Sequence, residues 1–213
     1  MTSTESSPCS SHQAPQTPTS QTIDYYNANA KAFAGSTVDV EFSSMRERFT
    51  SLLAPGDAIL DFGCGSGRDA KAFLDAGFDV TAIDGSAELC KSANQLTGLD
   101  VRNELFQELS DIEAYDGIWA CSSILHLTKV ELTDVLSQMA AALRPHGIIY
   151  TSFKLGDFEG MRNGRYFTDF TESDFRAFLS AVPSLRIEQS WTTQDVRPGR
   201  EDERWLNLLL RKN

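Results

Sequence analysis

Between Ile59 and Asp69 the chain reads Ile-Leu-Asp-Phe-Gly-Cys-Gly-Ser-Gly-Arg-Asp, an apolar strand running into alternating glycines that open a helix. Glycine at Gly63, Gly65 and Gly67 permits positive φ and lets a ligand approach the main chain without meeting a Cβ. A second apolar run, Asp79 to Asp84, also ends on a carboxylate. In a parallel βαβ unit that acid stands beside the first turn, where it can accept hydrogen bonds from both hydroxyls of a ribose. Asp84 could instead cap the helix that follows, although Ser86, just past Gly85, suits that role as well. The chemistry is that of a nucleotide-type cofactor site, with a bare strand-to-helix turn as the alternative.

Spacing narrows the cofactor. A dinucleotide turn has the form G-x-G-x-x-G, whereas Gly63, Gly65 and Gly67 follow G-x-G-x-G behind the acid Asp61. The turn continues Arg68-Asp69-Ala70 without the lysine of a phosphate loop. This segment resembles motif I of the class I S-adenosylmethionine-dependent methyltransferases, D/E-x-G-x-G-x-G. Tyr115 to Cys121 looks like that family's fourth strand, Ser122 to Leu127 like the loop near the transferred methyl, and Leu143 to Tyr150 like the turn into strand five, with His146 in place of a glycine. The motif I sequence, a short N-terminal helical cap and a compact insertion after strand five look most like small bacterial methyltransferases of the tellurite-resistance type.

The resemblance implies S-adenosylmethionine as cofactor, a small-molecule methyl acceptor and S-adenosylhomocysteine as product. It puts Gly63, Cys64, Gly65 and Gly67 around the methionine part, with Asp61 organising the loop. Asp84, Gly85 and Ser86 fall at the ribose. Phe106 and Gln107 offer an aromatic face and an amide to adenine, or form a solvated loop. The Gly63 and Cys121 carbonyls could receive the cofactor ammonium, and Arg46 and Arg68 are candidates for its carboxylate. Tyr25 and Tyr26, adjacent in a helix, could lid the pocket or pack on the sheet. His126 is placed near the methyl, as a base or as a core histidine. The insertion Lys154 to Phe167 is suited to a mobile lid, where Lys154, Arg165 and Tyr166, with Arg197 further on, could meet an acceptor; surface salt bridges are the alternative for the arginines.

The elements that must position these residues form a Rossmann-like, doubly wound α/β sheet. Strands are expected near 58–62, 79–84, 100–105, 115–120 and 147–153, with helices near 67–77, 86–97, 129–143 and 171–182. Leu185 to Thr192 and Arg204 to Leu210 look like the closing antiparallel pair. The family's seven strands run in the order 3-2-1-4-5-7-6, with strand 7 antiparallel. Ahead of them Ile23 to Phe33 and Val38 to Leu53 read as a helical cap over 22–54, and 58–213 as the core of one domain. Met1 to about Gln21 is Ser-, Thr-, Pro- and Gln-rich and reads as a disordered tail.

Composition sets limits. A chain of 213 residues, 41% hydrophobic, suffices for one α/β domain. A formal charge of -11 argues against general nucleic-acid binding. The four cysteines, Cys9, Cys64, Cys90 and Cys121, lack zinc-ligand spacing, so no metal is expected; Cys64 and Cys121 read as pocket lining. No stretch approaches the roughly 18 apolar residues of a membrane span, and the first residues lack a secretory pattern, which suggests a cytoplasmic protein. No heptad seam or repeat appears that would set an oligomeric state; a monomer or weak dimer is the expectation. Two other functions fit part of the pattern: an S-adenosylmethionine-binding sensor without turnover, and an NAD-dependent oxidoreductase.

Overall fold

Alternating apolar residues send the strands' side chains to both faces of one sheet. In β1 (Ala58–Phe62), Leu60 and Phe62 join one core and Ile59 the other; in β4 (Tyr115–Ala120), Ile118 and Ala120 are separated from Trp119 in the same way. The computed structural model describes residues 16–37, 40–197, 199–200 and 202–213. The sheet is completed by β2 (Asp79–Asp84), β3 (Arg102–Asn103), β5 (Leu143–Lys154), β8 (Leu185–Gln194) and β9 (Arg204–Lys212), in the order β3-β2-β1-β4-β5-β9-β8. The first five strands pair in parallel, and β9 is antiparallel to both neighbours. The expected strand order and the antiparallel direction of the seventh strand therefore hold. Strand β3 is shorter than expected, because the chain turns into a 3-10 turn at Phe106–Glu108.

Helices α3 (Arg68–Asp75), α4 (Ala87–Thr97), α5 (Lys129–Ala142) and α6 (Glu172–Leu179) flank the sheet. Thr128 and Glu131 form a capping box that starts α5. At the β5 turn His146 takes φ +64°, so the imidazole-bearing residue occupies the left-handed conformation usually left to glycine.

Three expectations need correction. Helix α1 spans Pro18–Thr37 and begins inside the segment read as tail, because Thr17 caps the Ser20 amide and proline suits the first helical position. The rest of that segment, residues 1–15 with Cys9, lies outside the described residues. The second helix, α2 (Ser43–Thr50), is shorter than Val38 to Leu53; Val38 and Asp39 are not among the described residues. The insertion after β5 is no open lid loop but a hairpin, β6 (Glu159–Arg162) and β7 (Arg165–Thr168). Asn163 and Gly164 turn it with φ of +51° and +79°, the pattern of a type I′ turn.

Candidate active site

The carboxyl ends of β1, β2, β4 and β5, roofed by α1 and the hairpin, enclose a cavity of about 590 Å³. At its base, Gly63, Gly65 and Gly67 take φ of +86°, +57° and +84°, as the sequence required. The amides of Gly63 and Cys64 donate to the Ile83 carbonyl, and Gly65 donates to Asp84 Oδ2 at 2.9 Å. Asp84 Oδ1 accepts from the Ser86 amide at 2.8 Å, so this buried carboxylate clamps the glycine turn to the end of β2. Burial raises its pKa against the pull of those two amides. Each oxygen keeps acceptor capacity beyond these bonds.

Asp61 is buried under the same turn. Burial, and next the Asp69 carboxylate, push its pKa well up; the Ala70 amide donates to it, yet Oδ2 is buried without a hydrogen-bond partner. Asp69 is a different case. Arg68 grips it through Nε at 2.9 Å and Nη2 at 2.7 Å, Arg46 donates at 2.8 Å, and the Trp119 indole at 3.0 Å. Burial alone would raise its pKa, but the Arg68 contacts and the other donors outweigh it and hold the carboxyl low.

The opposite wall carries His126, in the 3-10 turn Ile124–His126 after β4. Its Nδ1 lies 2.6 Å from the Tyr166 carbonyl and must carry the proton, so Nε2 accepts from the Tyr26 hydroxyl at 2.9 Å. Burial pushes its pKa down to about 4, against the Tyr166 carbonyl, which raises it. The imidazole is thus neutral at neutral pH, with both nitrogens occupied, which does not suit a general base.

Residues 59–147 match the methyltransferase-domain family. Over that segment the chain carries a methyltransferase domain. An uncharacterized methyltransferase of Geobacillus kaustophilus is 30% identical over 145 residues, 66% of this chain and 65% of that protein. The ubiquinone biosynthesis O-methyltransferase of Rhodopseudomonas palustris strain TIE-1 is 33% identical over 99 residues, covering 44% of this chain and 38% of that one. The chain therefore spans less than two thirds of these curated relatives. Among solved structures, the 1,6-didemethyltoxoflavin-N1-methyltransferase of Burkholderia thailandensis superposes with a TM-score of 0.74 at 22% identity, covering 94% of this chain and 93% of its own; it holds 1,6-didemethyltoxoflavin and S-adenosylhomocysteine. That likeness shows the fold.

The methyltransferase domain's residues fit a cofactor bearing a sulfonium and an ammonium. The glycine-turn side of the cavity is lined by the acids Glu41, Asp61, Asp69 and Asp84 against one cation, Arg68. Asp61 Oδ2 and Gln107 Oε1 are buried acceptors without partners, and both residues line the cavity. Phe106 leans on Phe62 with ring centroids 4.8 Å apart and presents an aromatic surface there. Gly85, Cys64 and Cys121 line it too. Burial raises both thiols, Cys121 to about 12, so neither is a ready nucleophile.

Several expected site residues do other work. Arg46 does not line the cavity, and Arg68, which does, is already committed to Asp69 and to the Thr37 carbonyl. Gly67 is covered by α4: a Cβ there would meet Ala93 Cα at 3.0 Å, so glycine is needed for helix packing rather than ligand contact. Ser86 caps α4, accepting from Leu89 and donating to Asn27. Tyr26 lines the cavity, whereas Tyr25, one residue earlier on the helix, turns toward the hairpin and packs beside Gly164. Tyr166 aims its hydroxyl away, at Glu159. Lys154 lines the cavity paired with Glu203, and Arg197 is bound through Nε at 2.9 Å to Asp195, whose carboxyl its hydrogen bonds hold near about 2 against burial. Arg165 lines the cavity with no such acid among the described residues. The sequence reading missed Asp69 and Phe167; for Asp69 the signal was its place beside Arg68 at the helix start.

Proposed function

We propose that the protein transfers a methyl group from S-adenosylmethionine to a small-molecule acceptor. One observation carries this reading: a single cavity joins the acidic glycine turn to the Tyr26 and hairpin wall, at a volume within the roughly 300–1,000 Å³ typical of small-molecule sites. When bound, the cofactor supplies a methyl already activated by its sulfonium, so the chain must mainly align the acceptor and exclude water. The glycine turn, with Asp61 and Asp84, would hold the methionine part and the ribose, and Phe106 and Gln107 the adenine. Helix α1 and the hairpin roof the space and keep water out. His126 works by position: it fixes the Tyr26 hydroxyl rather than taking an acceptor's proton. The acceptor then brings a free lone pair, or has lost its proton to bulk water before it enters the cavity.

The test is transfer of labelled methyl to a panel of thiols, amines, phenols and tellurite, the last because of the tellurite-resistance resemblance. Labelled product is expected with at least one member. Binding of S-adenosylhomocysteine with no transfer to any of them would favour the sensor reading.

A further inference from the structure

We infer that the acceptor is anchored through an oxyanion, a carboxylate group in its simplest form, at Arg165. The inference rests on the proposed methyl transfer to a small molecule and names the class of that molecule.

Charge accounting inside the cavity supports it. The chain as a whole carries -11, and the glycine-turn side of the cavity is acidic. The wall built from the end of β5, the hairpin and the β8–β9 connection is the reverse: six Lys and Arg side chains line it against four Asp and Glu. Four of those cations are ion-paired, Lys154 and Arg200 sharing Glu203, Arg162 with Asp169 and Arg197 with Asp195. Arg204 is exposed to water. Arg165 is left half-buried with no carboxylate partner among the described residues.

The guanidinium is also held rigidly. Its Cζ sits 4.6 Å from the Tyr25 ring centroid and 5.2 Å from that of Phe167, so the two rings fix its plane. Nη1 donates to the Tyr26 hydroxyl at 3.4 Å, which ties it to His126, and Nε is buried without a hydrogen bond. A half-buried cation whose Nε donor is buried and unmet gains when an anion arrives, and arginine's planar fork matches a carboxylate. The roof residue Tyr25, which does not reach the cavity, thereby gains a role in aiming the residue that does. Docking the acceptor's anion here, opposite the glycine turn, would direct the rest of the molecule across the cavity toward the cofactor.

Matched probes test this on the full chain saturated with S-adenosylhomocysteine: benzoate, salicylate and nicotinate against benzamide, salicylamide and nicotinamide, by calorimetry. At least one carboxylate should bind about tenfold or more tightly than its amide. Arg165→Gln should erase that preference, and Arg165→Lys, which keeps charge without the fork, should retain part of it. Affinity for S-adenosylhomocysteine should stay within about threefold in both variants, which also reports that the site has folded. Failure of the wild type to bind S-adenosylhomocysteine would sink the methyltransferase reading itself. Normal S-adenosylhomocysteine binding with no carboxylate bound, with carboxylates and amides bound equally, or with the preference intact in Arg165→Gln would overturn the anchor alone.

Discussion

The Tyr26 hydroxyl meets His126 Nε2 at 2.9 Å, joining the helix ahead of the first strand to the turn behind the fourth. Because the other ring nitrogen faces the Tyr166 carbonyl, one neutral imidazole ties α1, the core and the hairpin together.

That tie makes stability pH-dependent. Folding depresses the His126 pKa from 6.5 to about 4, so as pH falls below about 6.5 the unfolded chain takes up a proton that the native chain refuses. The neutral imidazole's contribution is therefore whole above about pH 6.5 and is lost on the way down to about pH 4. From pH 7 to pH 5 the loss should be ~2 kcal/mol, and His126→Phe should lack that share of the slope. Urea denaturation of both proteins at the two pH values checks it; equal slopes would refute the neutral, buried histidine.

Asp61→Asn should act in opposite directions on the free and the bound protein. Burial raises the Asp61 pKa, so its folded form favours the protonated carboxyl, and the carboxylate costs stability as pH rises through the raised pKa. Removing the charge should stabilise the apo protein at pH 7 by about 1–3 kcal/mol while weakening S-adenosylhomocysteine binding. Thermal melts with and without ligand read both; a destabilised apo protein would contradict the orphaned carboxylate.

Gly67→Ala places a Cβ against Ala93 and Thr97 at a φ of +84°. A loss of about 2–4 kcal/mol in denaturant unfolding is expected, from the left-handed backbone and from prising α3 off α4 together. A loss under about 1 kcal/mol would show that the two helices yield easily.

Legibility in the sequence followed locality. The glycine turn was readable because backbone freedom at Gly63, Gly65 and Gly67 depends on residue type alone, and all three take positive φ. The sheet followed from strand spacing and resemblance together. The hairpin was missed although Asn163-Gly164 carries the local signature of its turn, because its four-residue strands, Glu159–Arg162 and Arg165–Thr168, show no apolar and polar alternation. Side-chain partners were the hardest to see. Arg46 and Arg68 converge on Asp69, Arg197 on Asp195, and such pairings depend on burial across distant segments. Tyr25 and Tyr26 look alike in sequence, yet successive helical residues point about 100° apart, and one alone reaches the cavity.

Asp84→Ala removes both the clamp on Gly65 and the acceptor offered to ribose hydroxyls. S-adenosylhomocysteine should bind about 10- to 100-fold more weakly, through hydrogen bonds to a charged acceptor. Calorimetry that finds unchanged affinity would refute the ribose assignment.

The most direct measurement is calorimetric titration of the wild-type protein with S-adenosylhomocysteine and, separately, with NAD. Saturable one-site binding of S-adenosylhomocysteine and none of NAD is predicted, because the acidic turn of G-x-G-x-G form suits the methionine part of that cofactor. Binding of NAD with none of S-adenosylhomocysteine would contradict the account at its centre.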